Sequence, residues 1–170
     1  SGSGKSTIAH ALVRLLPGEA SIVGGSIDFD DIDVMRLSQR ALRRVRGARI
    51  GFVPQDPSHS LNPVVRVGEQ IAEVVRRHLG LTPPDARRRA VEILDEVGIP
   101  EPGQRARQYP HELSGGLRQR VLIGIAWACN PDLVIADEPT SALDATVQRH
   151  VLDRMQALRE SHGTSVLLVT

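Results

Sequence analysis

The sequence predicts an α/β fold in which helices flank a parallel β-sheet. Short apolar segments alternate along the chain with longer segments whose apolar residues recur at helical spacing. A glycine-rich turn, SGSGKST, runs directly into the first helical segment. The middle of the chain is rich in helical segments and poor in strands, which predicts a helical subdomain inserted into the sheet-containing core.

The amino-terminal part of the chain supplies one predicted helix and two predicted strands. The helix covers residues 5–16 and is ended by Pro17-Gly18. The strands cover residues 26–29 and 49–53. The second strand leads into PQDP, where two prolines favour a loop.

The rest of the chain continues the alternation. Amphipathic segments predict helices, and short apolar runs predict buried strands. The predicted helices cover residues 67–79, 84–97, 114–128 and 145–161, the strands 133–136 and 165–169, and residues 98–112 form a loop with short turns.

Composition favours one soluble globular domain. The chain has 170 residues, of which 41% are hydrophobic and 24% are charged. A net charge of +1 gives no reason to expect a polyanionic partner such as nucleic acid. Cys129 is the one cysteine in the sequence, so an internal disulfide is excluded, and its apolar surroundings favour a buried structural thiol.

The first seven residues match the end of the phosphate-binding pattern G-x-x-x-x-G-K-[ST], whose first glycine would fall two places before Ser1. Glycines let the backbone approach phosphates, Lys5 would reach the β- and γ-phosphates, and the Ser6 hydroxyl would ligate Mg²⁺. A flexible tail is the alternative, but direct continuation into an apolar-periodic helix favours the P-loop. The predicted ATP-binding residues here are Ser1, Gly2, Ser3, Gly4, Lys5, Ser6 and Thr7. Lys5 is also the single lysine beside twenty arginines, and a compact ammonium suits a site between phosphate oxygens.

Two adjacent carboxylates, Asp137 and Glu138, end the apolar run in DLVIADEPT. Phosphoryl transfer needs a carboxylate near the metal and a group that orients the attacking water. Asp137 would hold Mg²⁺ through water, and Glu138 would position or deprotonate the nucleophile. The alternative is that the two carboxylates form an ordinary acidic surface turn after a strand. The predicted P-loop in the same chain disfavours this alternative.

A second glycine-rich helix start lies in LSGGLRQR, residues 113–120. Ser114 would cap the helix, and Ser114-Gly115-Gly116 would form a second anion-binding nest. A plain cap explains the serine but not two glycines, which cost helix stability.

With SGSGKST before it and LVIADEPTSALD after it, LSGGLRQR resembles the ATP-binding cassette of ABC transporters along essentially the whole chain. The resemblance implies a P-loop NTPase (RecA-like) core at about residues 1–66 and 120–170, with the family's helical subdomain at about 67–119. It implies that ATP and Mg²⁺ are bound and that ATP is hydrolysed.

The resemblance also implies roles for individual residues. Two cassettes of this family pair head to tail, so Ser114, Gly115 and Gly116 would cap the nucleotide of a partner cassette. Gln55 would be the Q-loop glutamine that contacts Mg²⁺ and the attacking water; on its own it would be taken for a solvated loop residue. Glu138 would be the catalytic glutamate and Asp137 the Walker B aspartate. The D-loop, which crosses to the partner, would be Ser141, Ala142, Leu143 and Asp144.

Three further segments, QDPSHSLNPV, YPHELSGG and SALDATVQ, resemble dipeptide, oligopeptide and nickel importers, although Leu117 replaces the usual glutamine of the signature. The implied partners are a second cassette, identical or related, transmembrane permease subunits and, indirectly, an extracytoplasmic solute-binding protein. The implied location is peripheral, at the cytoplasmic face of the membrane.

Some family features lie outside this sequence: the first P-loop glycine, an adenine-stacking aromatic and the switch histidine that follows the last strand. We therefore expect a segment truncated at both ends, whose residues 1–170 alone turn over ATP weakly or not at all. A soluble tandem-cassette translation factor and an inactive remnant remain as alternatives. A DNA-repair ATPase is disfavoured because residues 4–114 hold no sustained heptads and no CxxC.

Overall fold

The computed structural model describes residues 3–141 and 143–170. Helices and strands alternate as the sequence predicts, with two additional 3₁₀ turns at Val34–Arg36 and Pro110–Glu112. The elements in chain order are α1 (Lys5–Leu12), β1 (Asp28–Phe29), β2 (Ile32–Asp33), α2 (Gln39–Val45), β3 (Ile50–Val53), α3 (Pro57–Ser60), α4 (Val67–Leu79), α5 (Pro83–Glu96), α6 (Pro102–Arg105), α7 (Gly115–Trp127), β4 (Leu133–Asp137), α8 (Ala145–His162) and β5 (Ser165–Val169).

Strands β3, β4 and β5 form a parallel sheet with β4 in the centre, which confirms the predicted α/β class. Leu133 at the start of β4 is aligned with Ile50 of β3 and with Ser165 of β5. The carboxyl ends of β3 and β4 therefore meet at one edge of the sheet. Strands β1 and β2 form a separate antiparallel hairpin.

The sheet separates two clusters of apolar side chains because successive residues of a strand point to opposite faces. On one face, Ile50 and Ile135 pack with Ala9 of α1 and with Val13, which follows that helix. On the other face, the side chains of β3 and β4 pack toward α7. Gly51 marks the closest approach on that side, since a Cβ at this position would collide with the Ala126 carbonyl.

Helices α4 and α5 form an antiparallel pair joined at Gly80, which has a φ of 67° and ends α4 in the left-handed conformation. The Thr82 side chain then accepts a hydrogen bond from the Asp85 N–H and caps α5. Ile71 and Leu94 from these helices belong to the same apolar cluster as α7 and α8. The subdomain boundaries at residues 67 and 119 stay a prediction.

The structure corrects the end of the first helix, which was predicted at residue 16. Helix α1 ends at Leu12 because Arg14 adopts a left-handed conformation with a φ of 52°. The Arg46 guanidinium donates hydrogen bonds to the carbonyls of Val13 and Arg14, which satisfies terminal groups that a longer helix would have bonded internally.

Other differences are local. The strand predicted at residues 26–29 is only Asp28–Phe29. Helix α3 begins at Pro57, the last residue of the PQDP segment that was predicted as a loop, and is capped by the Asp56 side chain. Cys129, which was predicted to be a buried thiol, is only partly buried, and burial raises the pKa of its thiol to about 11. Within residues 3–141 and 143–170, every helix is too short or too polar to cross a membrane.

Candidate active site

The amino terminus of α1 presents an open turn of backbone. Gly4 precedes the helix with a φ of 85°, and a Cβ at this position would have no neighbouring atom within 4 Å. The first-turn N–H groups of an α-helix have no partner inside the helix, so they point together toward this open space. The Lys5 ammonium lies beside it and donates to Ser3 Oγ at 3.2 Å.

Helix α1 is joined to the carboxyl end of β4 through a side-chain hydrogen bond. Ser6 Oγ donates to Asp137 Oδ1 at 2.9 Å, although 131 positions separate the two residues in sequence. Asp137 is buried, with only 1% of its surface exposed. A buried carboxylate needs such a partner, and together the two groups offer the hard oxygen ligands that Mg²⁺ prefers.

Glu138 follows β4 with a backbone that few residues adopt, at a φ of 43°. Its N–H donates to the Val169 carbonyl at 2.9 Å, which ties this turn to the end of β5. Gln55, which comes after β3, donates from Nε2 to Glu138 Oε2 at 2.8 Å. The turn therefore orients the carboxylate of Glu138 toward the end of β3, where Gln55 donates its hydrogen bond.

Four residues predicted from separate motifs are thus linked in two hydrogen-bonded pairs at one edge of the sheet: Ser6 with Asp137, and Gln55 with Glu138. The two acidic members are adjacent in sequence, which places both pairs beside the open turn of α1. Among the described residues, no group of three or more His, Cys, Asp or Glu side chains could hold a metal ion. A hydroxyl and one or two carboxylates suit Mg²⁺ that takes its remaining ligands from water and substrate phosphates.

The second glycine-rich helix start has a different construction. The Ser114 hydroxyl accepts a hydrogen bond from the Leu117 N–H at 3.4 Å, which confirms its expected capping role. A Cβ on Gly116 would lie 2.5 Å from Val147 Cγ1, whereas a Cβ on Gly115 would lie 4.0 Å from Leu143 Cδ2. Packing against α8 therefore explains Gly116, a reason that the sequence argument for an anion nest did not contain.

The segment predicted as the D-loop runs from the active-site turn to α8. Ser141 Oγ donates to the Glu138 carbonyl oxygen at 3.1 Å. The Asp144 side chain accepts hydrogen bonds from the N–H groups of Thr146 and Val147, at 3.1 and 3.0 Å, and caps α8. The backbone of Glu138 and the packing partner of Gly116 are therefore connected by this short loop.

An open cleft of about 630 Å³ lies between the Gln55 loop, the start of α7 and the loop that contains Ser141. Arg118 lines this cleft with a buried Nε that has no hydrogen-bond partner among the described residues. Ser114, Gly115 and Gly116 form no hydrogen bond with Ser3–Thr7 in the described parts of the chain.

Sequence reasoning missed some neighbours of the site. His10 Nδ1 lies 2.7 Å from the Ser6 carbonyl oxygen, and its ring centroid lies 5.0 Å from that of Phe52. Its position one helical turn after Ser6 is a signal that could have pointed to it. Three predicted site residues, Ser1, Gly2 and Ala142, lie outside the residues that the structure describes.

Residues 1–141 match the protein-family model described as ABC transporter. The oligopeptide transport ATP-binding protein OppD of Bacillus subtilis is 47% identical over 171 residues, covering 100% of this chain and 48% of that protein. A putative peptide import ATP-binding protein of Brucella melitensis is 48% identical over 176 residues, covering 100% of this chain and 52% of that protein. The chain thus spans about half the length of these curated relatives.

Among solved structures, the chain is similar to the ATP-binding cassette MJ0796 in a dimeric post-hydrolysis state bound to ADP and phosphate. The TM-score is 0.85 at 32% sequence identity, and the match covers 99% of this chain and 70% of the other. A second dimeric structure, of the same bacterial ABC transporter cassette, matches with the same TM-score of 0.85.

Proposed function

The chain belongs to the ABC transporter family, and from this premise we propose that it is the ATP-hydrolysing part of a peptide importer. The names of its relatives support the cargo class, since both are described as transporting or importing peptides. The relatives bind ATP as their names state, and the solved cassette holds the products ADP and phosphate.

The observation that carries the proposal is the pair of hydrogen bonds at the end of the sheet. Ser6 with Asp137 and Gln55 with Glu138 bring together residues from three distant parts of the sequence. A structural role alone would not require a carboxylate held at positive φ beside the open, glycine-containing start of a helix. Metal-assisted phosphoryl transfer uses a phosphate-binding turn, groups that hold the metal and a residue that orients the attacking water.

In the proposed reaction, water attacks the γ-phosphorus of ATP in line with the departing ADP. The helix α1 amino terminus and Lys5 bind the phosphates. Ser6 and Asp137 would hold Mg²⁺, directly and through water, and the ion would offset negative charge on the phosphate oxygens. Gln55 engages one carboxylate oxygen of Glu138 and orients it, and the other oxygen accepts the proton of the attacking water.

We assign Ser114, Gly115 and Gly116 to the nucleotide bound by a second cassette, which would pair head to tail with this one through the loop of Ser141, Leu143 and Asp144. The dimeric form of the related cassette supports such pairing. The remaining partners would be transmembrane permease subunits at the cytoplasmic face of the membrane, with a solute-binding protein acting through them.

The decisive experiment is Glu138→Gln in the full-length protein that contains this chain. The amide keeps the hydrogen-bonding shape but cannot accept a proton at neutral pH. We expect ATP turnover to fall by about 100-fold or more, while the dissociation constant for ATP stays close to that of the wild type.

Glu160→Gln is the matched control, because Glu160 is an exposed carboxylate near the end of α8. This variant should hydrolyse ATP at the wild-type rate. Near-normal turnover in Glu138→Gln would contradict the assignment of Glu138 as proton acceptor. Peptide uptake in vesicles that carry the assembled transporter would test the cargo class separately.

A further inference from the structure

Away from the active site, two arginines converge on the turn that follows α5. Arg120 of α7 donates from Nη1 to the Gly98 carbonyl oxygen at 2.7 Å. Arg154 of α8 crosses the same glycine, with its Nε 2.6 Å from the place that a Cβ on Gly98 would occupy. Gly98 has a φ of 73°, so the backbone conformation favours glycine here.

Among residues 3–141 and 143–170, no ion pair within 4.0 Å includes Arg120 or Arg154. By contrast, the three consecutive arginines of α5 each contact an acidic side chain: Arg87 with Glu69 at 2.7 Å, Arg88 with Asp85 at 2.8 Å and Arg89 with Glu96 at 2.6 Å. The chain can pair its arginines, and at this turn it does not.

Arg120 also has an unused hydrogen-bond donor. Its Nε is shielded from solvent and has no acceptor in the described part of the chain. Burial, with a further contribution from the charge of Arg154, lowers the pKa of the Arg120 guanidinium. A cation without a counter-ion is costly, and an oxyanion in contact with the guanidinium would relieve that cost.

The two arginines line a cavity of about 370 Å³, together with His150, Asp153 and Ala157. His150 and Arg154 are exposed, so a ligand can enter from solvent. Asp153 is the one acidic residue in this lining, which leaves an excess of positive charge and at least three side chains with N–H donors. This combination suits a small, highly charged anion.

We propose that this cavity, defined by Arg120, His150, Asp153 and Arg154, binds the phosphate group of a small anion. A tetrahedral phosphate offers several oxygen acceptors to two guanidinium groups that approach from different helices. The site is distinct from the P-loop, which is built on α1, and it does not depend on the proposed ATPase function.

The test is a titration with inorganic phosphate at pH 7 and constant ionic strength, followed by calorimetry. The full-length protein carries Lys5→Ala, which weakens phosphate binding at the P-loop. We expect Arg154→Gln to weaken phosphate binding about tenfold through loss of a charge-assisted hydrogen bond. Asp153→Asn should tighten binding about threefold because it removes a repulsive charge.

Arg149→Gln is the matched control, since Arg149 is an exposed arginine of the same helix that does not line the cavity. Its affinity for phosphate should equal that of the Lys5→Ala background. Arg149, Asp153 and Arg154 are exposed, so these substitutions leave the core intact. A parallel titration with glycerol 3-phosphate tells whether an organic phosphate binds more tightly than the free ion.

Equal phosphate affinity in Arg154→Gln, Asp153→Asn and Arg149→Gln would overturn the proposal, because binding would then be non-specific screening. Loss of all binding in the Lys5→Ala background would also overturn it, since the P-loop would be the sole phosphate site. Neither result bears on ATP turnover by Glu138, so the two proposals fail separately.

Discussion

Helices α1 and α7 both begin with glycine-rich sequence, yet the structure gives the two starts different physical reasons. At α1, Gly4 has a φ of 85° and open space around the position of a Cβ. At α7, Gly116 lies inside the helix and faces Val147 so closely that a Cβ would fall 2.5 Å from its Cγ1. Gly4 is required by the backbone conformation, and Gly116 is required by packing.

Glycine in a motif therefore does not by itself mark contact with a ligand. The open turn at α1 leaves room for phosphate within this chain, and Ser6 beside it already contacts the buried Asp137. The start of α7 packs against Val147 of α8, and under the proposed function its ligand would be the nucleotide of a partner cassette. The predictions below separate these two situations.

The largest expected effect is on ATP binding at α1. Replacement of Lys5 by alanine removes the cation beside the open turn, and we expect the dissociation constant for ATP to rise about a hundredfold. The stability of the nucleotide-free protein should not change, because Lys5 is exposed and its ammonium donates a hydrogen bond to the exposed Ser3 hydroxyl. Calorimetric titration with ATP and thermal unfolding without nucleotide measure the two quantities.

Arg40→Ala serves as the control, because it removes an exposed cation from α2 without touching α1. Its affinity for ATP should remain at the wild-type value. If Lys5→Ala instead lowered the unfolding temperature and left ATP affinity unchanged, the start of α1 would be a structural turn and not a phosphate site.

The next effect is on stability at α7. Gly116→Ala forces a methyl group against Val147, and we expect the free energy of unfolding to fall by about 1–3 kcal/mol. Gly115→Ala meets only Leu143 at 4.0 Å, so it should be neutral or slightly stabilising, since alanine is the better helix former. Urea unfolding of the nucleotide-free protein measures both variants.

A double-mutant cycle with Val147→Ala sharpens this result. Val147→Ala frees the space that the new methyl group needs, so the double variant should be more stable than the sum of the single effects by about 1 kcal/mol. Additive effects would show that Gly116 is glycine for another reason, such as contact with a partner's nucleotide.

Much of the fold follows from pattern, because burial on both faces makes a strand continuously apolar. Residues 133–136 were predicted as a strand on this basis, and α4 begins and ends at its predicted residues. Helix α2 was not predicted, because its seven-residue, arginine-rich sequence holds too few apolar residues to show helical periodicity. The helix is stabilised by burial of Leu42 and Val45. The end of α1 depends on Arg46, 32 positions after Arg14, and local sequence cannot reveal such a contact.

The candidate site shows the same limit. Asp137 and Glu138 could be selected from the sequence because two carboxylates end an apolar strand. Their partners, Ser6 and Gln55, are joined to them only when the sheet forms. The packing of Val147 on Gly116 could not be foreseen, because a family motif records which residue is present and not which neighbour makes it necessary.

The smallest effect tests the backbone at the start of α1. Gly4→Ala meets no neighbouring atom, but it places a Cβ on a residue with a φ of 85°, so we expect a loss of about 1–2 kcal/mol in unfolding free energy. Gly4→Asn should cost less, because asparagine tolerates the left-handed region better than alanine. Gly18→Ala is the matched control: it also meets no atom within 4 Å, but its backbone is not in the left-handed region. Equal stability of Gly4→Ala and Gly18→Ala would mean that the backbone φ does not require glycine at position 4. The difference between Gly4 and Gly116 would then be only that Gly116 is packed against a neighbour.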